Sequence, residues 1–320
     1  MISLNVAIEV YLMTSFGFNL QLEEYSIDLA LKTAEQTENL GLQAVFVNDH
    51  YMKPSGNNIQ DAFLMLTAMA IRTKRIKIGT AVTPIPFRSA PQTAKVVSTL
   101  DNISKGRFIF GVGAGWNHAE FEGYGSKFLS PKERSSKPIE GIRLMKRMWT
   151  EDEVTFHGKY YQIKGAVLLP KPIKKPHPPI LIGSNSQRMR RFAAREGDGW
   201  IPGHLAFNDY KDMMNGIINE AERCGRCRGD LTFVHFTRIL TGDHMDEALK
   251  SMSKNQTSRI KERYIIGPPE DCVEKLQKYV DIGVDLILLR LHHIVPTSFV
   301  EKERHSQQIT FIYKEILSQL

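Results

Sequence analysis

Short apolar runs typical of buried strands alternate with amphipathic helical stretches along nearly the whole chain. Most of these runs are rich in Val and Ile and lack a polar face, as expected for strands that are covered on both sides. Strands of this kind belong to parallel sheets whose connections are helices. Eight such strands are predicted, at residues 6–11, 44–50, 76–83, 107–114, 179–184, 199–204, 232–240 and 286–292.

Helical periodicity fills the gaps between the strands. The predicted helices span residues 24–39, 60–72, 91–101, 132–149, 187–196, 208–223, 269–281 and about 299–318. Eight strand–helix units in 320 residues favour a closed (β/α)8 barrel, the TIM-barrel form of the α/β class, over an open doubly wound sheet. We therefore expect one barrel domain over residues 1–320.

Two segments interrupt the repeat. Residues 151–172 alternate in polarity and carry a turn signal at His157-Gly158, which predicts a small β-hairpin excursion. Residues 241–266 form a longer polar insertion after the seventh predicted strand. Insertions on such barrels usually lie on the face that carries the active site.

Composition argues against several other classes of protein. The net charge of +7 is spread along the chain without a basic block, so no nucleic-acid partner is expected. No apolar run reaches the length of a membrane span, and three cysteines suit a reducing, cytoplasmic location. The Cys224-x-x-Cys227 pair has no second pair of ligands, so no metal site is predicted.

Polar residues follow the second predicted strand. Catalytic groups of barrels lie at the carboxyl ends of strands, and this strand ends in Asn48, Asp49 and His50. Burying three polar side chains is costly unless they face a pocket or one another. A helix cap by the Asn or Asp, beside a bystander histidine, is the alternative.

The next three strand ends are rich in small residues. Residues 79–84 can let a planar ligand lie against the backbone, or can simply turn. Residues 111–116 hold three glycines beside the flat ring of Trp116. Residues 183–186 combine amides and hydroxyls before a helix, which suits a phosphate, although Ser186 also suits a plain N-cap.

The chain resembles the luciferase-like superfamily of flavin and deazaflavin barrel oxidoreductases. The resemblance covers most of the chain, in the order LGLQAVFVNDH, TLDNISKGRFIFGVGAGW, WTEDEVTFHGKYYQIKGAVLLPKP, AAREGDGWIP and IIGPPEDCVEKLQKYVDIGVD. Within the superfamily, the form SKGRFIFGVGAGW is most similar to the branch that uses the deazaflavin coenzyme F-420.

The resemblance implies positions around such a cofactor. Asp49 and His50 match a pair beside the deazaflavin ring, with the histidine close to the site of hydride transfer. Ala81 and Val82, followed by Thr83, match a non-proline cis bulge that supports the ring. The residues that would contact the ring and phosphate from the fourth and fifth strands are Ala114, Gly115, Trp116, Gly183, Ser184, Asn185 and Ser186.

The implied function is hydride transfer between F-420 and a small organic substrate, with His50, Asp49 and Trp116 as catalytic candidates. Since an imidazole titrates near neutral pH, His50 is the expected proton donor, acceptor or electrostatic partner. Sugar-phosphate dehydrogenases of this branch carry a glutamate where this chain has Trp116 and a tryptophan where it has Pro54. Only the general cofactor chemistry therefore carries over.

Two other functions stay open at this point. One is an FMN-dependent monooxygenase of the same superfamily, supplied with reduced flavin by a partner reductase. The other is a non-catalytic cofactor-binding barrel, which a pocket filled by Trp116 would favour. By the same resemblance we expect a homodimer. His204 ends the sixth predicted strand, and His292 and His293 lie at the end of the eighth. Each either reaches the substrate or packs in the barrel wall.

Overall fold

The computed structural model describes residues 13–53, 58–242, 245, 260–291 and 302–320. Within these residues, eight strands pair in parallel around a closed ring, in which the last strand pairs with the first. The barrel strands are β1 Ser15–Leu20, β2 Ala44–Val47, β3 Lys77–Thr80, β4 Phe108–Gly113, β5 Ile180–Gly183, β6 Gly199–Trp200, β7 Thr232–Leu240 and β8 Leu286–Leu291. The expected (β/α)8 barrel is confirmed.

The first barrel strand lies in a segment that the apolar pattern did not identify. The predicted strand at 6–11 falls outside the described residues, and Ser15–Leu20 takes the place between β2 and β8. This strand contains Gly17, where an added Cβ would lie 2.1 Å from the carbonyl oxygen of Ala44. The close approach of the two backbones therefore requires glycine at this position. Glycine is rare in strands, so it weakens the sequence pattern by which this strand could be predicted.

Eight of nine helices in the described residues match the predicted segments to within a few residues, and the short helix His118–Gly123 was not predicted. The nine are α1 Ile27–Asn39, α2 Ala62–Arg72, α3 Ala90–Ser104, α4 His118–Gly123, α5 Pro131–Thr150, α6 Gln187–Glu196, α7 Phe207–Arg223, α8 Pro269–Asp281 and α9 Lys302–Glu315. Several begin at capping side chains: Ser26 accepts from the amide of Leu29, and Ser130 forms a capping box with Glu133. Such caps satisfy amides that the first helical turn leaves unpaired.

Apolar side chains fill two layers. One cluster occupies the barrel interior and includes Phe46, Leu181, Val234 and Leu288. A second, larger cluster lies between the strands and the surrounding helices. Because these side chains fill the barrel interior, a ligand can bind only at the ends of the strands.

The hairpin excursion is confirmed, since Val154–His157 pairs antiparallel with Gln162–Ala166. Most of the predicted insertion at 241–266 falls outside the described residues, but its last two residues form a short strand, Ile265–Ile266, parallel to β7. Among the described residues, no helix combines the length and the apolar character needed to cross a bilayer.

Candidate functional site

A pocket of about 420 Å³ opens at the carboxyl ends of the barrel strands. Parallel strands end at one face of the barrel, so residues far apart in sequence meet there. The predicted site residues that line this pocket are His50, Ala81, Val82, Ala114, Gly115, Trp116, Gly183, Ser184 and Ser186. We call this space the ring pocket.

A bulge after β3 forms one wall of the ring pocket. The peptide between Ala81 and Val82 is cis, as the resemblance implied. A Cβ added to Gly113 would lie 2.6 Å from a methyl carbon of Val82, and one added to Gly183 would lie 2.7 Å from the other methyl carbon. The two glycines on β4 and β5 are therefore needed to admit this bulge between the strands.

Hydroxyl groups and a cation meet at the other end of the ring pocket. Ser184 and Ser186 lie at the amino end of α6, and their side-chain oxygens are 3.1 Å apart. Ser186 occupies the N-cap position but its side chain accepts no capping hydrogen bond. Arg134, from the first turn of α5, also lines the pocket and donates to the carbonyl of Gly115 at 3.2 Å. These groups can hold a phosphate.

His50 is held by a carboxylate that the sequence reasoning missed. Its Nδ1 lies 3.0 Å from Glu120, which is 2% exposed and also accepts from the amide of Tyr51 at 2.5 Å. Because a carboxylate oxygen accepts hydrogen bonds, we assign the hydrogen of this contact to Nδ1, which leaves Nε2 as the ring nitrogen that can accept a proton. The ring also meets Trp116 edge to face, with centroids 5.8 Å apart.

Asp49 lies behind the pocket and does not line it. The buried carboxylate receives two hydrogen bonds from Arg88, at 2.8 and 3.0 Å, and Arg88 also contacts Asp61. Although burial alone favours the neutral guanidine, the facing Asp49 raises the pKa of Arg88. This ion pair holds in place the backbone segment that carries His50.

Two other predicted residues also lie away from the pocket lining. Thr83 is buried after the cis bulge, and Asn185 is exposed to solvent between the two serines. His292 and His293 fall outside the described residues. His204 lines an adjoining pocket, where burial, followed by the charges of nearby arginines, lowers its pKa to about 3. His204 is therefore neutral at physiological pH.

Trp116 does not close the ring pocket. The indole is 63% exposed and forms part of the rim. A pocket filled by Trp116 would have favoured a non-catalytic barrel, but the pocket is open. Glu120 and Arg134 had no signal in the sequence pattern, because both lie in helical stretches that contribute to the pocket only once the barrel has closed.

A closed parallel barrel with an open, partly apolar pocket at the carboxyl ends of its strands has the form of a TIM-barrel enzyme. Residues 8–260 match the family model described as luciferase-like monooxygenase. The chain belongs to this family, as its motifs predicted.

Individual relatives carry different cofactors in their names. The chain is 26% identical over 314 residues to an F420-dependent glucose-6-phosphate dehydrogenase from Intrasporangium calvum, covering 87% of this chain and 92% of that protein. It is 29% identical over 206 residues to an FMNH2-dependent dimethylsulfone monooxygenase from Pseudomonas putida, covering 64% and 56%. The crystal structure of monooxygenase RslO1 from Streptomyces bottropensis superposes with a TM-score of 0.81 at 22% identity, covering 96% and 99%.

Proposed function

We propose that this protein is an oxidoreductase that binds the deazaflavin coenzyme F-420 in the ring pocket and acts on a small organic substrate. The observation that carries the proposal is the open ring pocket with the His50–Glu120 pair on its edge. Similarity to F420-dependent dehydrogenases over most of the chain supports the choice of cofactor.

The residues of the ring pocket suit a flat ring that bears a phosphate. The Ala81–Val82 bulge offers an apolar wall, and Ser184, Ser186 and Arg134 offer hydroxyl and cationic donors. When bound, a deazaflavin supplies two-electron hydride chemistry at its ring. The protein's contribution is to position the ring and to polarise the reacting partner.

His50 is the proposed catalytic proton carrier. Glu120 holds Nδ1, so the opposite ring nitrogen is available to accept a proton from a substrate hydroxyl or to return one. The carboxylate also stabilises the imidazolium that forms when His50 accepts the proton. Trp116, packed against His50, shields one side of this group from water.

A second candidate is an FMN-dependent monooxygenase that receives reduced flavin from a partner reductase. The similarity to the dimethylsulfone monooxygenase favours it, and the same ring pocket suits either flavin. The two proposals differ in the cofactor that the protein selects.

Cofactor titration separates the two candidates. Purified protein without cofactor is mixed with F-420 or with FMN, and binding is followed by the fluorescence of each ring. Tighter binding of F-420 supports the deazaflavin proposal, and tighter binding of FMN would reject it in favour of the monooxygenase. Arg134→Gln should weaken whichever cofactor binds, whereas Arg223→Gln, on the far end of α7, should not.

Replacement of His50 tests the proposed proton carrier. Alcohols, carbonyl compounds and sugar phosphates are screened for a change in the redox state of bound F-420. With a substrate found in this way, His50→Ala should lower kcat strongly and leave cofactor affinity unchanged. An unchanged kcat would remove His50 from the mechanism.

We also propose that the chain is one domain that forms a homodimer. Leu64 and Ile71 on α2, and Val96 and Ile103 on α3, are exposed apolar side chains spaced seven residues apart on adjacent helices. A second copy can cover this strip through a two-fold axis. Leu64→Asp should convert the dimer to a monomer in light scattering. Ile27→Asp, which replaces an exposed apolar side chain on α1 by the same carboxylate, should not.

We further propose a cytoplasmic location for this protein. The thiols of Cys224 and Cys227 are free and exposed, a state that a reducing compartment maintains.

A further inference from the structure

A second cavity adjoins the ring pocket across the barrel mouth. It has a volume of about 520 Å³ and shares His50, Ala81, Trp116 and Phe236 with the ring pocket. Its remaining lining comes from the ends of β1, β2, β7 and β8 and from His204: Gln21, Glu23, Asn48, Lys53, Arg238 and Arg290. We call this cavity the mouth cavity.

Two of the three cations in the mouth cavity have carboxylate partners. Lys53 pairs with Glu23 at 2.6 Å, and Glu23 is 3% exposed at its side chain. Arg290 forms an ion pair with Glu24. Three cations therefore face two carboxylates, which leaves one positive charge uncompensated in this group of described residues.

The uncompensated charge is that of Arg238. Within the described residues its guanidinium makes no ion pair or hydrogen bond, and its Nε is buried without a partner. It lies 5.3 Å from the centroid of the Tyr264 ring, which offers only a cation–π contact. Buried charges in proteins are normally paired, because leaving one unpaired is costly.

A second arginine increases this cost. Arg238 on β7 and Arg290 on β8 are direct register partners in neighbouring parallel strands. Burial, followed by the charge of Arg290, lowers the pKa of Arg238. The two neighbouring guanidinium groups share one carboxylate, that of Glu24, which pairs with Arg290. A bound anion would balance the positive charge that remains.

We infer that the mouth cavity is the substrate subsite and that Arg238 binds an anionic group of the substrate, a carboxylate or a phosphate. The subsite presupposes the proposed function, since it places such a substrate between Arg238 and His50. It lies on the β1–β2 and β7–β8 side of the barrel, whereas the serines proposed for the cofactor phosphate follow β5 on the other side. The phosphate of the cofactor and the anionic group of the substrate therefore each have a separate site.

Anion titration tests the subsite without any knowledge of the substrate. Succinate and inorganic phosphate are titrated into the protein, with and without bound F-420, and affinity is measured by calorimetry. We expect binding of at least one anion in both states, because F-420 would occupy only the ring pocket. Arg238→Gln should weaken this binding tenfold to a hundredfold, the range for a hydrogen bond to a charged group. Arg223→Gln, which removes the same charge from an exposed site, should change it less than twofold.

Stability separates a ligand-binding role from a structural one. Since Arg238 forms no ion pair or hydrogen bond among the described residues, Arg238→Gln should leave the unfolding temperature unchanged or raise it. A large fall in unfolding temperature with unchanged anion affinity would overturn the inference. So would a variant that loses F-420 affinity in parallel, because the arginine would then hold the acidic tail of the cofactor. Failure of wild-type protein to bind F-420 would reject the proposed function, while the anion titration without cofactor would still decide the subsite.

Discussion

Gly115 offers a quantitative test of how the ring pocket is built. Its φ is +74°, and an added Cβ would lie 2.6 and 2.7 Å from two ring atoms of Phe121 and 3.2 Å from the Cβ of Pro84. Phe121 is fully buried, and its ring packs edge to face against Phe87 at 4.7 Å. Because this buried ring is in contact with Phe87, we expect it to resist displacement, so Gly115→Ala should shift the strand end.

Two costs add up in this variant. A non-glycine residue in the left-handed region costs about 1–2 kcal/mol, and overpacking a filled core costs about 1–3 kcal/mol. Gly115→Ala should therefore lower the free energy of unfolding by about 2–5 kcal/mol. Gly125 is a matched control, because its φ is +71° but nothing lies within 4 Å of an added Cβ. Gly125→Ala should carry only the backbone cost of about 1–2 kcal/mol.

Urea denaturation of both variants measures the two costs, and titration with F-420 measures the effect on the pocket. We expect the larger loss of stability and a weaker cofactor affinity for Gly115→Ala alone, since Gly115 lines the ring pocket. Equal losses of stability in the two variants would show that contact with Phe121 contributes nothing, and would refute the reasoning.

Three further predictions concern buried polar groups. Glu120→Gln should lower kcat about tenfold to a hundredfold, because a hydrogen bond to a charged group contributes about 1.5–3 kcal/mol to holding His50. His235 has a pKa lowered to about 3, by burial and then by the charge of a neighbouring histidine, so the unfolded chain takes up its proton first. His235 should thus contribute a fall in the free energy of unfolding of about 1.4 kcal/mol per pH unit between about pH 6.5 and about pH 3, measured in denaturant titrations at each pH. Arg88→Met should cost about 3–5 kcal/mol of unfolding free energy, measured in urea, because it leaves the buried Asp49 without its counter-charge.

Each of these predictions has a distinct control. Glu120→Gln must keep F-420 affinity, and a kcat equal to wild type would mean that the carboxylate does not position His50. His235→Phe should reduce the acid slope by about 1.4 kcal/mol per pH unit and leave the contribution of His204, and an unchanged slope would assign it to other groups. Asp61→Asn removes only the charge of the outer, half-exposed partner of Arg88 and keeps a side-chain oxygen that can cap α2. A loss of stability as large as that of Arg88→Met would contradict the assignment to Asp49.

Local pattern was sufficient for most of the elements. Runs such as Ala44–Val47 and Ile180–Gly183 are apolar throughout, and the α1 and α5 helices begin at Ser26 and Ser130, whose side chains cap them. The exception is β1, where Phe and Gly replace the usual β-branched residues. Its strand conformation depends on pairing with β2 and β8, which no local window contains.

The candidate site divides in the same way. The residues at the ends of strands, such as His50 and Ser184, could be identified because a polar or small residue after a buried run is a signal within one segment. Burial of Asp49 against Arg88 had no such signal, since the two residues come from different loops.

The sequence by itself therefore determined the class of fold, the family and the strand ends that line the proposed ligand site, because all three depend on periodicity and motifs within short segments. Only the tertiary structure decided which charges are paired: Glu120 with His50, Arg88 with Asp49, and Arg238 with no described carboxylate. The physical reason is that the energy of a charge depends on burial and on the distance to its counter-charge. Closure of the barrel sets both quantities, by bringing together residues that are far apart along the chain.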